Sequence, residues 1–134
     1  MRLGFVLGSL AVALGAPSAG GAAAPSAETS LTITYWAKGP RTATPITWTL
    51  SCNPPRGTLR SPRVACRGLA SGGAKLFAPV PADAVCTEIY GGPQSARVVG
   101  RVNGRKVWAR FNRSNGCQIE RWDRLAPWLL PSGV

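Results

Sequence analysis

Four cysteines, Cys52, Cys66, Cys86 and Cys117, are spread along a chain that contains no histidine, and their redox state decides what kind of fold the chain can reach. The stretch ahead of them sets the expectation. Residues 1–24, MRLGFVLGSLAVALGAPSAGGAAA, place one cation, Arg2, before an apolar run from Leu3 to Leu14 and then a tail of small residues. That is the order of a secretory signal peptide, with cleavage expected between residues 19 and 24. The apolar run is shorter than the ~20 residues a spanning helix needs, and no later segment is apolar for that length. The processed chain, residues 25–134, is therefore expected to be a single exported, extracellular domain without a membrane anchor. In that setting four cysteines form two disulfides. No pair has the short spacing of a zinc knuckle, and no histidine can complete a ligand set, so no metal is expected. Of the three pairings open to four cysteines, the sequential one, Cys52 with Cys66 and Cys86 with Cys117, is favoured because each bond closes a local loop. Each is worth about 3 to 4 kcal/mol in the chain-entropy model.

Along the chain, LTITYW at 31–36 and ITWTLSC at 46–52 alternate and are rich in β-formers, so both read as strands. The intervening AKGPRTATP reads as a loop. CNPPRGTLRSP is too rich in proline and glycine for regular structure, after which Val64, Ala65, Leu69 and Ala70 carry a helical spacing. A short helix over Arg63–Ala70 is expected, stopped by Gly72 and Gly73. The sharpest local signal is ARVVGRVNGRKVWARF, residues 96–111. Asn103 and Gly104 tolerate the positive φ of a type I′ turn, so the flanking runs should close as a hairpin. A two-residue turn places Val102 opposite Arg105, Gly100 opposite Val107, Val98 opposite Ala109 and Ala96 opposite Phe111. The other face then pairs Arg101 with Lys106, Val99 with Trp108 and Arg97 with Arg110, which sets like charges against each other and weakens a sheet. Ile119, Trp122 and Leu125 suggest a second short helix over Cys117–Leu125, ended by Pro127. The tally is an α+β domain of roughly five strands and two short helices.

Chemistry is hard to find. Without histidine, hydrolytic triads lose their usual base, and oxidised cysteines offer no thiolate. The five carboxylates, Glu28, Asp83, Glu88, Glu120 and Asp123, contain no evident acid/base pair; Glu120 and Asp123 fall on one helix face beside Arg121 and Arg124. No phosphate loop or dinucleotide motif occurs. The chain reads as a protein that is not an enzyme and uses no cofactor. Attention moves to CTEIYGGPQ, residues 86–94, where a scarce acid stands between a cysteine and an apolar pair. Gly91, Gly92 and Pro93 keep this stretch out of helix and sheet. If Cys86 bonds Cys117, the stretch is an exposed loop on a rigid frame, the arrangement in which loops tend to carry function.

Leu50-Ser-Cys52-Asn-Pro54, Gly57-Thr58 followed eight residues later by Cys66, Cys86-Thr87, the Gly104–Phe111 strand and Asn115-Gly-Cys117 together resemble the Streptomyces subtilisin inhibitor family of secreted serine-protease inhibitors. The resemblance implies a five-stranded antiparallel sheet with two short α-helices, sequential disulfides, and commonly a homodimer formed through sheet faces. It implies a reactive bond two residues after the third cysteine, here Glu88–Ile89, with Val85, Cys86 and Thr87 on the acyl side and Tyr90 on the leaving side. It also implies that Asn115 braces the loop; read from the residues alone, the alternative is a helix-start or turn residue. The partner so implied is an extracellular serine protease, subtilisin-like or glutamate-accepting. Three departures bear on the target. Members commonly carry Met, Lys or Arg where Glu88 stands, and an apolar pocket would desolvate this carboxylate at a cost of several kcal/mol. Gly91-Gly92 moves Pro93 one residue later than usual, and Leu59-Arg60 replaces a frequent His-Pro.

Charge offers a second reading. Without Arg2, 15 basic residues stand against 5 acidic ones, a net charge of +10, which suits acidic partners. Arg97, Arg101, Lys106 and Arg110 around Trp108 would give a basic face for an acidic polymer; nucleic acid is not the partner expected. A third reading makes Gln94, placed in the exposed loop, a cross-linking substrate.

Overall fold

Period-two alternation in four segments builds the sheet. The computed structural model describes residues 27–42 and 44–133, together with positions 4, 12, 14–17 and 20, so most of the export segment read at 1–24 lies outside the described residues. Strands β1 (Ser30–Trp36), β2 (Ile46–Ser51), β3 (Ser95–Val102) and β4 (Arg105–Asn112) form one antiparallel sheet in the order β2-β1-β3-β4. Leu31, Ile33, Leu50, Val98, Ala109 and Phe111 point to one face and are buried, while the alternate positions Thr32, Arg97, Trp108 and Arg110 are exposed. The β3–β4 hairpin has the register anticipated from its turn, with Val102 opposite Arg105, Val99 opposite Trp108 and Arg97 opposite Arg110. Asn103 and Gly104 take φ of +49° and +79°, as the turn requires. Gly100 permits the close pairing of β3 with β1: its φ is +146°, and a Cβ there would run into the Ser30 carbonyl.

The sheet has four strands, where five were expected. Residues 56–59 do run beside β2, with Arg56 and Ser51 exchanging backbone hydrogen bonds of 2.9 and 2.8 Å and Leu59 N–H donating to Thr49 O at 3.1 Å. They make only an isolated bridge. Pro54 and Pro55 have no amide to donate, Gly57 sits at φ +127° against the Thr49 backbone, and Thr49 N–H bonds the Thr58 hydroxyl instead of a main-chain carbonyl.

Two helices cover the apolar face. Helix α1 (Pro62–Gly72) begins one residue before its expected start, with Pro62 in the first turn where no amide is needed. It passes through Gly72 and stops at Gly73, whose φ is +64° and whose amide returns to Leu69 O. A 3-10 turn over Gly73–Phe77, which the sequence pattern did not reveal, drops Phe77 into the core at 6.2 Å from Phe111. Helix α2 (Gly116–Asp123) ends two residues short of the expected Leu125. The chain then winds on so that Leu125, Leu129 and Leu130 are also buried.

Helix α2 is held by its two buried residues, Arg121 and Trp122. Trp122 lies under the sheet and donates its indole N–H to Pro131 O at 2.8 Å. The Arg121 guanidinium donates to Ala78 O (2.7 Å), Arg110 O (2.7 Å) and Phe77 O (3.3 Å) and stacks 4.2 Å from the Phe111 ring. A rigid fork of donors lets one side chain join helix, strand and turn at once. Burial, and then the charge of Arg124, push its pKa down, and no carboxylate pairs with it. The two ion pairs among the described residues are Arg124–Glu120 and Arg113–Asp123, at 2.8 and 2.9 Å.

The disulfides are sequential. Cys52–Cys66 ties the end of β2 to α1, and Cys86–Cys117 ties the long connection before β3 to the first turn of α2. Leu69 is fully buried where α1 meets the sheet. Its replacement by alanine is expected to lower stability by about 2–5 kcal/mol, read as a shifted urea midpoint at unchanged slope.

Candidate functional site

Residues 78–94 form no helix or strand. Pro79, Pro81 and Pro93 cannot donate to a ladder, and Gly92 sits at φ +125°. Within this connection Val85, Ile89 and Tyr90 are exposed to 99, 62 and 67 %, and Thr87 and Glu88 are exposed too. Apolar side chains held in water in a row are a mark of an interaction site.

The loop is nonetheless tied down, and from one place. On the side before Glu88, Cys86 is bonded to Cys117 with a Cα separation of 5.3 Å, and Thr87 O accepts the Gly116 amide at 2.9 Å. Gly116 has to be small, because the Thr87 side chain occupies the space where its Cβ would lie. On the side after Tyr90, Gly91 donates its amide to Arg113 O at 2.7 Å, and Arg113 Nε returns a bond to Gly91 O at 3.2 Å. A Cβ on Gly91 would come within 2.8 Å of Ile119, so the glycine brings the loop directly onto α2. The segment Arg113–Cys117 thus grips residues on both sides of the stretch Glu88–Tyr90. None of the hydrogen bonds among the described residues involves those three. Glu88 takes part in neither ion pair.

Asn115 sits in the same segment. Its side-chain oxygen accepts the Gln118 amide at 3.0 Å and caps α2, and that helix start presents Gly116 and Cys117 to the loop. The direct bonds come from Gly116 and Arg113, which the sequence reading passed over. A glycine beside a bonded cysteine hints at a close approach; nothing local distinguishes Arg113 from the other exposed-looking arginines.

Gln94, expected in the exposed loop, is instead only 8 % exposed. The turn at Gly92 folds the Gln94 side chain back over the Gly92 α-carbon, which removes it as an accessible cross-linking site. Arg97, Arg101, Lys106, Trp108 and Arg110 do come together, on the sheet face that carries no helix. Arg97 opposes Arg110, and Arg101 opposes Lys106. Arg110 lies 5.0 Å from the Trp108 ring and Arg97 5.9 Å from that of Trp36. No acidic residue occurs in any of the four strands. Among the described residues no cluster of side chains is suited to hold a metal ion, and no helix is long and apolar enough to cross a membrane.

Comparison with known proteins bears on the loop. The family profile described as subtilisin inhibitor-like matches residues 24–115, ending two residues before Cys117. Among solved structures, sermetstatin of Streptomyces caespitosus, in complex with subtilisin of Bacillus licheniformis, is similar at 29 % identity; the match covers 70 % of this chain and 90 % of that one, with a TM-score of 0.47. No curated protein matches the sequence. The profile spans strands β1 to β4, the Cys52–Cys66 bond and the whole exposed loop, and by that match the chain belongs to the subtilisin inhibitor-like family.

Proposed function

We propose that the processed chain, residues 25–134, is a secreted inhibitor of a serine endopeptidase and acts through the bond Glu88–Ile89. Membership of the family supports inhibition in general. The observation that carries the particular bond is the grip of Arg113–Cys117 on Thr87 and Gly91, with Glu88, Ile89 and Tyr90 exposed between them.

The mechanism follows from that geometry. A loop already held in place loses little conformational entropy on docking, so an interface of ordinary size binds tightly. Val85, Cys86, Thr87 and Glu88 occupy the acyl side of the protease cleft, and Ile89 and Tyr90 the leaving side. Attack on the Glu88 carbonyl expels the Ile89 amine. The acyl end stays fixed at Thr87 and Cys86, and the amine end is moored two residues further on at Gly91. Both ends remain within reach, so resealing competes with hydrolysis and release. Asn115 serves by fixing the start of α2.

Glu88 sets the target. Its carboxylate is exposed and enters no ion pair among the described residues, and transfer into an apolar pocket would cost several kcal/mol. The protease is one whose specificity pocket carries basic groups. A panel of serine endopeptidases followed by mass determination is expected to give slow, saturable inhibition of a glutamate-specific enzyme and one cut after Glu88. Glu88→Lys is expected to redirect inhibition toward trypsin-like enzymes. The proposal fails if neither version inhibits any secreted serine endopeptidase at micromolar concentration.

The bare sheet face favours a second reading. Two cation pairs, each about 5 Å across, stand four residues apart along the strands, about 13 Å, with Val99 and Trp108 between them and no acid on the strands. Two copies meeting through this face would bring four cations of each together, which disfavours the homodimer implied by the family at that surface. An extended acidic polymer such as a cell-wall polyanion would relieve the repulsion instead. Retention on immobilised inorganic polyphosphate is expected to weaken steeply with salt and to be abolished in Arg97→Glu/Arg110→Glu. Retention that is absent, or indifferent to salt, removes this reading.

A further inference from the structure

We infer that Arg113 is a positioning residue that retains the leaving strand of the reactive bond, an inference that rests on the inhibitory reading above. Among the described residues, Arg113 is the one side chain that hydrogen-bonds the loop directly on the leaving side. Its Nε donates to Gly91 O at 3.2 Å, and its own carbonyl accepts the Gly91 amide at 2.7 Å, so the two residues form a reciprocal pair. Its Nη1 donates to Asp123 Oδ1 at 2.9 Å, in the last turn of α2. Trp122 lies 5.9 Å from the guanidinium centre, and Gly133 packs against the guanidinium, where any side chain would collide. An arginine only 8 % exposed, fixed by one partner on α2 and another on the loop, is a preorganised arm rather than a solvated charge.

The placement gives the arm a task that the disulfide cannot perform. Cys86–Cys117 holds the acyl side only. Once Glu88–Ile89 opens, the new amine belongs to a strand held ahead of Ser95 at Gly91, by the main-chain bond to Arg113 O and by the bond from the Arg113 guanidinium. With Gly91 held, two residues, Ile89 and Tyr90, are free to swing. Without the guanidinium a single main-chain bond is left at Gly91, and each time it opens six residues, Ile89 to Gln94, move together and the amine meets the acyl carbon less often. Arg113 therefore sets how often the cut bond reseals, and its effect falls on the opened inhibitor more than on the intact one. The extra glycine of Gly91-Gly92 fits this division: Gly91 lies against Ile119 and Arg113, and Gly92 supplies the turn that follows.

The test compares wild type with Arg113→Lys, Arg113→Ala and Asp123→Asn, incubated with the endopeptidase that the panel identifies. Arg113→Lys keeps the charge and loses the planar fork; Asp123→Asn leaves the arm in place without its mooring. Three quantities are read for each: the equilibrium ratio of cut to intact inhibitor, the inhibition constant, and the exchange rate of the Gly91 amide in free protein. Loss of a hydrogen bond from a charged donor is expected to raise the cut-to-intact ratio about tenfold to a hundredfold in the Arg113 variants, with faster Gly91 exchange. Asp123→Asn should give a smaller change in the same direction. The association rate should stay near that of wild type, since the exposed residues are unaltered. A residue that merely stabilised the fold would lower the unfolding midpoint without moving the ratio. Variants that are folded and inhibit with the wild-type ratio overturn the inference alone. A wild type that inhibits nothing removes the inhibitory reading and, with it, any role for the arm, whatever the exchange rates show.

Discussion

Burial of Trp122 and Arg121 beneath the sheet fixes α2, and through α2 it fixes the loop. The disulfide at Cys117, the amide of Gly116 and the carboxylate of Asp123 that moors Arg113 all belong to this one short helix. A helix of 8 residues has almost no stability of its own. Its rigidity is borrowed from the core on one side and from three carbonyls on the other. Stiffness at the surface is thus a property of packing more than 10 residues away along the chain, and the fold and the exposed loop cannot be separated energetically.

The hairpin was legible in the sequence down to its register because two local signals agreed. Asn103-Gly104 dictated the turn, and strict alternation on both arms dictated which side chains face inward. The disulfide pairing was legible because local loop closure and the family resemblance pointed the same way. What escaped was everything decided across long sequence distances. Residues 56–59 carry no pattern that tells a strand from a chain that only touches one, and the outcome turned on the prolines and the Thr58 hydroxyl. Arg121 and Arg113 look in sequence like any surface arginine; that one meets carbonyls near residue 78 and the other Gly91 follows only from how the layers stack. Gln94 was misplaced for a local reason: its burial depends on a positive φ at Gly92, two residues earlier, where the chain had no signal beyond the glycine itself. The loop could be placed from Cys86 and the family resemblance, while the means by which its far side is held could not.

Helices cover one face of the sheet and leave the other to water, and the distribution of charge follows that division. The covered face is apolar down to the ends of the strands. The bare face concentrates cations without a single opposing acid, which lowers the cohesion of β3 and β4 and is offset by the apolar burial behind it. The exposed loop adjoins one end of the basic face, since Tyr90, Gly92 and Pro93 line one cavity together with Trp36, Arg97 and Arg110.

Arg121 docks the helix against main-chain oxygens, which take up no proton in the range where carboxylates do. Its lowered pKa makes the folded state bind fewer protons than the unfolded one only in strongly alkaline solution, where stability would rise with pH. Below that range both states carry the charge and the contact contributes no slope. Acidified surroundings that would loosen a helix clamped only by Asp or Glu leave these main-chain contacts of Arg121 untouched.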